Sequence, residues 1–256
     1  MAGIILSADI GTSSLKAAFI DMDGKLLAFS RAAYSKPFEQ RSSRHGSLCA
    51  TAWERAFAAT LECLYDKAPD TQVDGICISG NGPTLVPVTY EGEDMLPLYW
   101  YDGKTLPPRT QSFFLPRAAW LKKNDFPLYE KTKFFISSHE WLTSRLGAEP
   151  KTVIPSEVYK PYYWDDEQCR LFDLDMEKFP PFIKMGEIMG HVSREAAGFF
   201  SPYTGNRLKS GTPIVAGGPD FITALIGTGV RKPGDVCDRA GSLPFCAQAW
   251  MWWAYS

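Results

Sequence analysis

Short apolar runs at residues 4–10, 15–20 and 25–31 are separated by Gly11-Thr12-Ser13-Ser14 and by Asp23-Gly24. Both separators are turn-forming groups, so the pattern predicts a three-stranded antiparallel meander. Across residues 51–65 the period changes, and Trp53, Ala56, Phe57, Leu61 and Leu64 recur at helical spacing. Residues 73–79 then read as a buried strand ending in Gly80-Asn81-Gly82-Pro83. Extended structure continues at 85–88 and 96–100 around a turn at Glu91-Gly92, and helices are expected over 114–123 and 137–146. Ser137 or Ser138 caps the second of these and Gly147 stops it. Residues 151–181, rich in Tyr, Trp, Asp and Pro, hold no sustained period and are expected to be irregular, packed by their aromatic rings. A short element within 186–197 follows. Then come the strand 214–216, the turn Gly217-Gly218-Pro219-Asp220 and an apolar helix at 221–226. No fixed-period repeat or low-complexity segment is visible.

A chain of 256 residues can bury a sizeable core as one large domain or two small ones. Hydrophobic residues at 45% and charged residues at 22% are ordinary soluble usage, and a net charge of -2 offers no field for a polyanion. Nucleic acid is therefore not an expected partner. Cys49, Cys63, Cys77, Cys169, Cys237 and Cys246 form no C-x-x-C pair, which argues against a zinc knuckle or a disulfide framework and for reduced thiols in a cytoplasmic protein. The apolar N-terminus reaches Asp9 too soon for a signal peptide, and no run approaches the ~20 residues of a membrane span. No membrane association is expected.

Three places carry candidate chemistry. Asp9-Ile10-Gly11-Thr12-Ser13-Ser14 lies between the first two strands. Gly11 at positive φ would let backbone N–H groups converge on an anion, with the hydroxyls of Thr12 and Ser13 as further donors. Asp9 would hold Mg²⁺ through water, since magnesium sheds its hydration reluctantly. The same hexapeptide also serves as a plain polar hairpin turn. Other phosphate loops are absent: Gly103-Lys104-Thr105 ends like a Walker A loop, but Leu98 stands where its first glycine belongs, and no G-x-G-x-x-G occurs.

Asp220 stands where a strand meets a helix, the place where ligands gather in α/β sheets, and a carboxylate there can accept a hydroxyl proton; an N-cap role is the alternative. Trp100-Tyr101-Asp102-Gly103-Lys104 combines aromatic rings with charge, which suits a polyol pocket and equally a surface turn. His45, His139 and His191 are too isolated for a metal site or a triad, and His139 reads as a helix residue serving the fold.

Read in order, these signals resemble the N-terminal half of the FGGY carbohydrate kinases. The resemblance runs from Ala8-Asp9-Ile10-Gly11-Thr12-Ser13-Ser14-Leu15-Lys16 through Ile76-Cys77-Ile78-Ser79-Gly80-Asn81-Gly82 and Trp100-Tyr101-Asp102 to Gly211-Thr212-Pro213-Ile214-Val215-Ala216-Gly217-Gly218-Pro219-Asp220. Phe179-Pro180-Pro181 and Gly186-Glu187-Ile188-Met189-Gly190 also resemble the stretch ahead of that last strand. The resemblance implies an α/β, ribonuclease-H-like domain of the actin-type ATPases, a mixed sheet with flanking helices. It implies ATP and Mg²⁺ as cofactors and a sugar or polyol as substrate. By the same resemblance Asp9 lies near Mg²⁺ and Gly11, Thr12 and Ser13 near the transferred phosphate. Asn81, Gly82, Pro83, Trp100 and Asp102 line the sugar pocket, and Asp220 is the base that orients the sugar hydroxyl.

Departures from the family pattern matter too. Lys104 stands where an arginine is usual, a point charge instead of a bidentate fork. Asn81-Gly82-Pro83 replaces the Arg-Glu pair of glycerol kinases and the Met-His pair of xylulokinases, so glycerol is not the expected substrate and a pentulose is only weakly favoured. Residues 1–242 are expected to be the sugar-binding domain, with the nucleotide site mainly in a second, absent domain. Residues 243–256 are read as an atypical apolar tail, with Trp250, Trp252 and Trp253 and no charged residue. Such a tail predicts a homo-oligomer. The alternative to a kinase half is a non-catalytic sugar-binding or regulatory module on the same fold.

Overall fold

The computed structural model describes residues 3–34, 49–90, 96–230, 234–239 and 245–248, with residues 238, 239 and 245–248 described by their backbone. The chain opens with β1 (Ile4–Ile10), β2 (Ser14–Asp21) and β3 (Leu26–Ala33), followed by α1 (Thr51–Lys67) and β4 (Gly75–Gly80). Next come β5 (Val86–Thr89), α2 (Leu115–Asn124), α3 (Phe126–Lys131), β6 (Thr132–Ile136), α4 (Ser138–Arg145), β7 (Thr152–Ile154), α5 (Asp166–Leu171) and β8 (Phe182–Lys184). It continues with β9 (Ile188–His191), α6 (Arg194–Thr204), β10 (Pro213–Pro219), α7 (Asp220–Gly227), β11 (Val236–Arg239) and β12 (Phe245–Gln248).

Six of the described strands form a mixed sheet in the order β3-β2-β1-β4-β10-β9. The meander β1-β2-β3 is antiparallel as expected, because tight turns join its alternating strands. β1, β4 and β10 run parallel, so their carboxyl ends meet on one edge of the sheet. α1 covers β2 and β3, α6 packs on α1, and α4 and α7 pack on β4 and β10.

The helical spacing at 51–65 does what it predicts: Trp53, Ala56, Phe57, Leu61 and Leu64 are buried with Phe19 and Ile78 in one core. Trp53 meets Tyr99 and Trp141 edge-on, and Phe57 meets Phe200 edge-on at 5.4 Å. Each such ring contributes on the order of 1.5–3 kcal/mol by burial. A second core gathers Leu98, Phe114, Leu115, Tyr129, Phe135, Trp164 and Phe179.

Two expectations need correction. Residues 151–181 are not uniformly irregular. They hold β7, two short 3₁₀ segments (Glu157–Tyr162 and Met176–Lys178) and α5, each too short to show a period, and their aromatic rings fill the second core as expected. Residues 126–136, for which no element was expected, form α3 and β6. Asp125 caps α3 by accepting the Leu128 N–H at 3.2 Å, and β6 is held by pairing with the distant β5. The expected turn at Glu91-Gly92 and most of the apolar tail 243–256 lie outside the described residues. Within the tail, the backbone of β12 pairs antiparallel with β11.

Candidate functional site

The site is built by register. Asp9 on β1 pairs with Ser79 on β4, and Ser79 with Gly218 on β10, so these three residues form one row across the parallel strands. One residue further lie Ile10, Gly80 and Pro219, and beyond them the chain leaves the sheet at Gly11, Asn81 and Asp220. The topology therefore brings the candidate phosphate turn, the Asn81 loop and Asp220 to one edge.

Glycines permit this closeness. A Cβ on Gly217 would stand 2.0 Å from the Ile78 carbonyl oxygen, so the bulge in β10 can press on β4 only without a side chain. A Cβ on Gly80 would meet Ser138 Oγ at 2.4 Å, because the start of α4 packs directly on the end of β4. Gly218 has φ +132°, a conformation open to glycine.

Asp9 is half-buried. Its carboxylate accepts from Lys16 Nζ at 3.0 Å and from Ser79 Oγ at 3.3 Å. Neither Lys16 nor Ser79 was singled out as a site residue from the sequence. Across this hairpin Lys16 sits directly opposite Asp9, so counting back from the turn finds it. The expected role of Gly11 needs correction. Its φ is not positive, and its N–H is spent on Ser14 O at 3.1 Å. Glycine is favoured there by space, since a Cβ would lie 3.0 Å from Ser14 O and 3.6 Å from Lys16 Nζ. Donors for an anion are left to Thr12, Ser13 and the Lys16 ammonium. Tyr34 clamps this turn, its N–H donating to Ser13 O at 3.2 Å and its hydroxyl to Gly11 O at 3.0 Å. Burial pushes the Tyr34 phenol well above its usual range, and the neighbouring Asp9 and Tyr101 push the same way.

Tyr101, in the Trp100 loop, lies near enough to Tyr34 to act on its phenol. It stacks on Tyr99 at 5.1 Å and meets Trp100 edge-on at 5.3 Å. Asp102 is nearly enclosed: Oδ2 accepts the Tyr99 N–H at 3.1 Å and pairs with Lys104 Nζ at 3.1 Å, while Oδ1 accepts the Lys104 N–H at 3.0 Å. Leu85 and Leu98 exchange backbone hydrogen bonds of 3.0 and 2.7 Å, which ties the Asn81 loop to the Trp100 loop. Asn81 is 2% exposed; its Oδ1 accepts from Thr84 Oγ1 at 2.9 Å and its Nδ2 has no partner among the described residues. Gly82 is exposed, and Pro83 follows it half-buried.

Asp220 opens α7 as its first residue. The N-cap position falls to Pro219, with no side-chain capping bond, so Asp220 is not an N-cap. The Asp220 residue is half-buried. Among the described residues no cluster of three His, Cys, Asp or Glu side chains is placed to hold a metal. His139 is buried with Glu140 in the first turn of α4, its Nε2 3.8 Å from Glu140 Oε1. Burial holds its pKa down to about 3, so it serves the fold as a neutral ring.

Residues 101–227 match the model of the FGGY family of carbohydrate kinases, N-terminal domain, a stretch that runs from the Trp100 loop through α7. The chain carries an FGGY-family N-terminal domain. It is 22% identical over 273 residues to the xylulose kinase of Bacillus subtilis (strain 168), covering 93% of this chain and 52% of that protein. To the autoinducer-2 kinase of Yersinia enterocolitica it is 22% identical, covering 93% and 50%. The chain thus spans about half the length of the curated relatives it matches. Among solved structures it resembles the Plasmodium falciparum glycerol kinase with ADP at a TM-score of 0.77 and 17% identity, covering 96% of this chain and 54% of that one. The ligand-bound xylulose kinase of Lactobacillus acidophilus gives 0.70 at 18% identity, covering 88% and 50%. The fold is accordingly the actin-type, ribonuclease-H-like α/β fold expected of the FGGY domain. No helix among the described residues is long and apolar enough to cross a membrane.

Proposed function

We propose that this FGGY domain is the sugar-recognition half of an ATP-dependent carbohydrate kinase, which transfers the γ-phosphate of ATP to a hydroxyl of a sugar or polyol. The observation that carries the reading is the shared edge at which Asp9, the Gly11–Ser14 turn, the Asn81 loop and Asp220 leave three parallel strands. Asp220 at the opening of α7 is the group that orients the acceptor hydroxyl and takes its proton. Trp100 offers an apolar face for the C–H side of a sugar, and the Asn81 Nδ2, without a partner among the described residues, a donor for a hydroxyl. Thr12, Ser13 and Lys16 face the transferred phosphoryl group, where positioning and charge neutralisation supply most of the catalysis.

Asp9 fits Mg²⁺ in its expected form. It is a single, partly exposed carboxylate without a cage of acids among the described residues, the donor set of an ion that keeps its waters and takes its other ligands from phosphates. When bound, the ion neutralises charge on the phosphoryl oxygens. Adenosine binding is assigned to a second domain, in the half of the curated relatives that this chain does not span. Among acceptors the xylulose kinase relatives favour a pentulose. The protein is read as cytoplasmic, and the apolar tail favours a homo-oligomer.

Calorimetry on the 256-residue chain with ketoses, polyols and ATP tests the division. Sugar binding without tight nucleotide binding is expected. Binding of no sugar removes the reading, and turnover by this chain alone removes the assignment of the nucleotide site elsewhere.

A further inference from the structure

Arg117 lies on α2 and is 7% exposed, an uncommon place for a cation. Its guanidinium reaches back to the acceptor loop, Nη1 donating to Tyr99 O at 3.2 Å and Nη2 to Trp100 O at 3.0 Å. Nε is buried without a partner among the described residues. An apolar residue would fill this place with no desolvation cost, so the charge is accounted for by the two carbonyls. Those carbonyls belong to a tight turn. Tyr99 O also accepts the Asp102 N–H at 3.2 Å, while Asp102 closes the turn from inside by accepting from Tyr99 N and Lys104 N. The Asp102 carboxylate is the countercharge: it offsets part of what burial does to Arg117, and it is itself paired with Lys104. A second tie between the same elements, Leu106 N–H to Pro116 O at 3.0 Å, fixes the far end of the loop to the start of α2.

We infer that Arg117 is a positioning residue for sugar recognition: its fork grips the carbonyls of Tyr99 and Trp100 and sets the turn that presents Trp100 and Tyr101 to the acceptor site. The inference rests on the proposed sugar reading of that loop. Arg117 touches no substrate and acts through Trp100. A planar fork reaches two adjacent carbonyls at once, which the single ammonium of lysine does with poorer geometry.

The test uses Arg117→Met and Arg117→Lys in the 256-residue chain, with hydrogen exchange resolved by residue and calorimetry with D-xylulose and glycerol. In Arg117→Met the amides of Asp102 and Lys104 are expected to exchange at least about tenfold faster, while those of β1 and β4 keep their wild-type protection. D-Xylulose affinity is expected to fall by about tenfold or more, with Arg117→Lys intermediate in both readouts. Should the Met variant fail to fold, Arg117→Lys carries the same two readouts in the same direction. Unchanged exchange at Asp102 and Lys104 overturns the inference. So does an increase spread evenly over the chain, which makes Arg117 a core residue and nothing more. If the wild type binds neither probe while the local exchange responds as expected, the sugar reading of the loop falls and Arg117 remains the residue that sets the turn.

Discussion

The hydroxyl of Tyr34 donates to the carbonyl of Gly11 at 3.0 Å, fastening the end of β3 to the turn between β1 and β2. The same residue's N–H holds Ser13 O, so one side chain and its backbone secure both sides of the turn that carries Thr12 and Ser13. Tyr34→Phe keeps the ring and removes only the hydroxyl. The expected loss is about 0.5–1.5 kcal/mol of stability in urea melts, with faster amide exchange confined to residues 11–14. Exchange unchanged there would mean that the turn is stiff without the clamp.

Gly217 and Gly198 make a paired test of close approach. A Cβ at 217 falls 2.0 Å from a backbone oxygen of β4, which cannot move without breaking the sheet, whereas nothing lies within 4 Å of a Cβ at 198, inside the exposed face of α6. Gly217→Ala is expected to cost about 3 kcal/mol or more. Gly198→Ala is expected to stabilise by about 0.5–1 kcal/mol through helix propensity and a less free unfolded chain. Chemical denaturation of both variants checks the pair, and equal effects would refute the argument from space.

The meander and α1 were legible because their burial follows a short period set by neighbouring residues: Leu6, Ala8 and Ile10 alternate inward on β1, and Trp53 through Leu64 line one helical face. The placement of Asp9, Asn81 and Asp220 was legible only through motif order, since their meeting depends on strand pairing across more than sixty residues. Lys16 escaped notice because an exposed lysine in an alternating strand looks like any solvent-facing residue until the hairpin register sets it against Asp9. Arg117 was hidden for a similar reason. Its partners are carbonyls of a loop seventeen and eighteen residues earlier, and backbone acceptors leave no trace in side-chain pattern.

Glu140 and His139 predict offsetting pH dependences. Burial raises the Glu140 carboxyl from 4.5 to about 7, against the N–H donors of Ser137 at 2.6 Å and Val153 at 2.7 Å. A raised carboxyl contributes stability that is full below 4.5 and is lost as pH rises through about 7. Burial lowers His139 from 6.5 to about 3, so its contribution is full above 6.5 and lost as pH falls through about 3. Between 4.5 and 6.5 the two slopes oppose each other. Glu140→Gln removes the falling slope, so its stability relative to wild type is expected to climb from pH 4.5 to 7 by on the order of 2–3 kcal/mol. Urea midpoints at several pH values measure this, and a difference independent of pH would show that Glu140 is ionised throughout.

Asp220 carries the sharpest prediction, because its two readings differ in what they require of the carboxylate. A helix N-cap would accept a hydrogen bond from the first turn, and asparagine would replace it at little cost. Pro219 occupies that position instead, leaving Asp220 as the first residue of α7 at the carboxyl edge of the parallel strands. A group that takes the hydroxyl proton acts on the transition state far more than on bound sugar. In an enzyme that joins these residues to the nucleotide-binding half, Asp220→Asn is expected to lower kcat by about 10²–10⁴-fold while sugar affinity stays within a few fold. Asp9→Asn should instead weaken the response to Mg²⁺ along with turnover. Steady-state kinetics over a range of sugar and Mg²⁺ concentrations separates the two, and near-normal kcat in Asp220→Asn would take Asp220 out of the reaction.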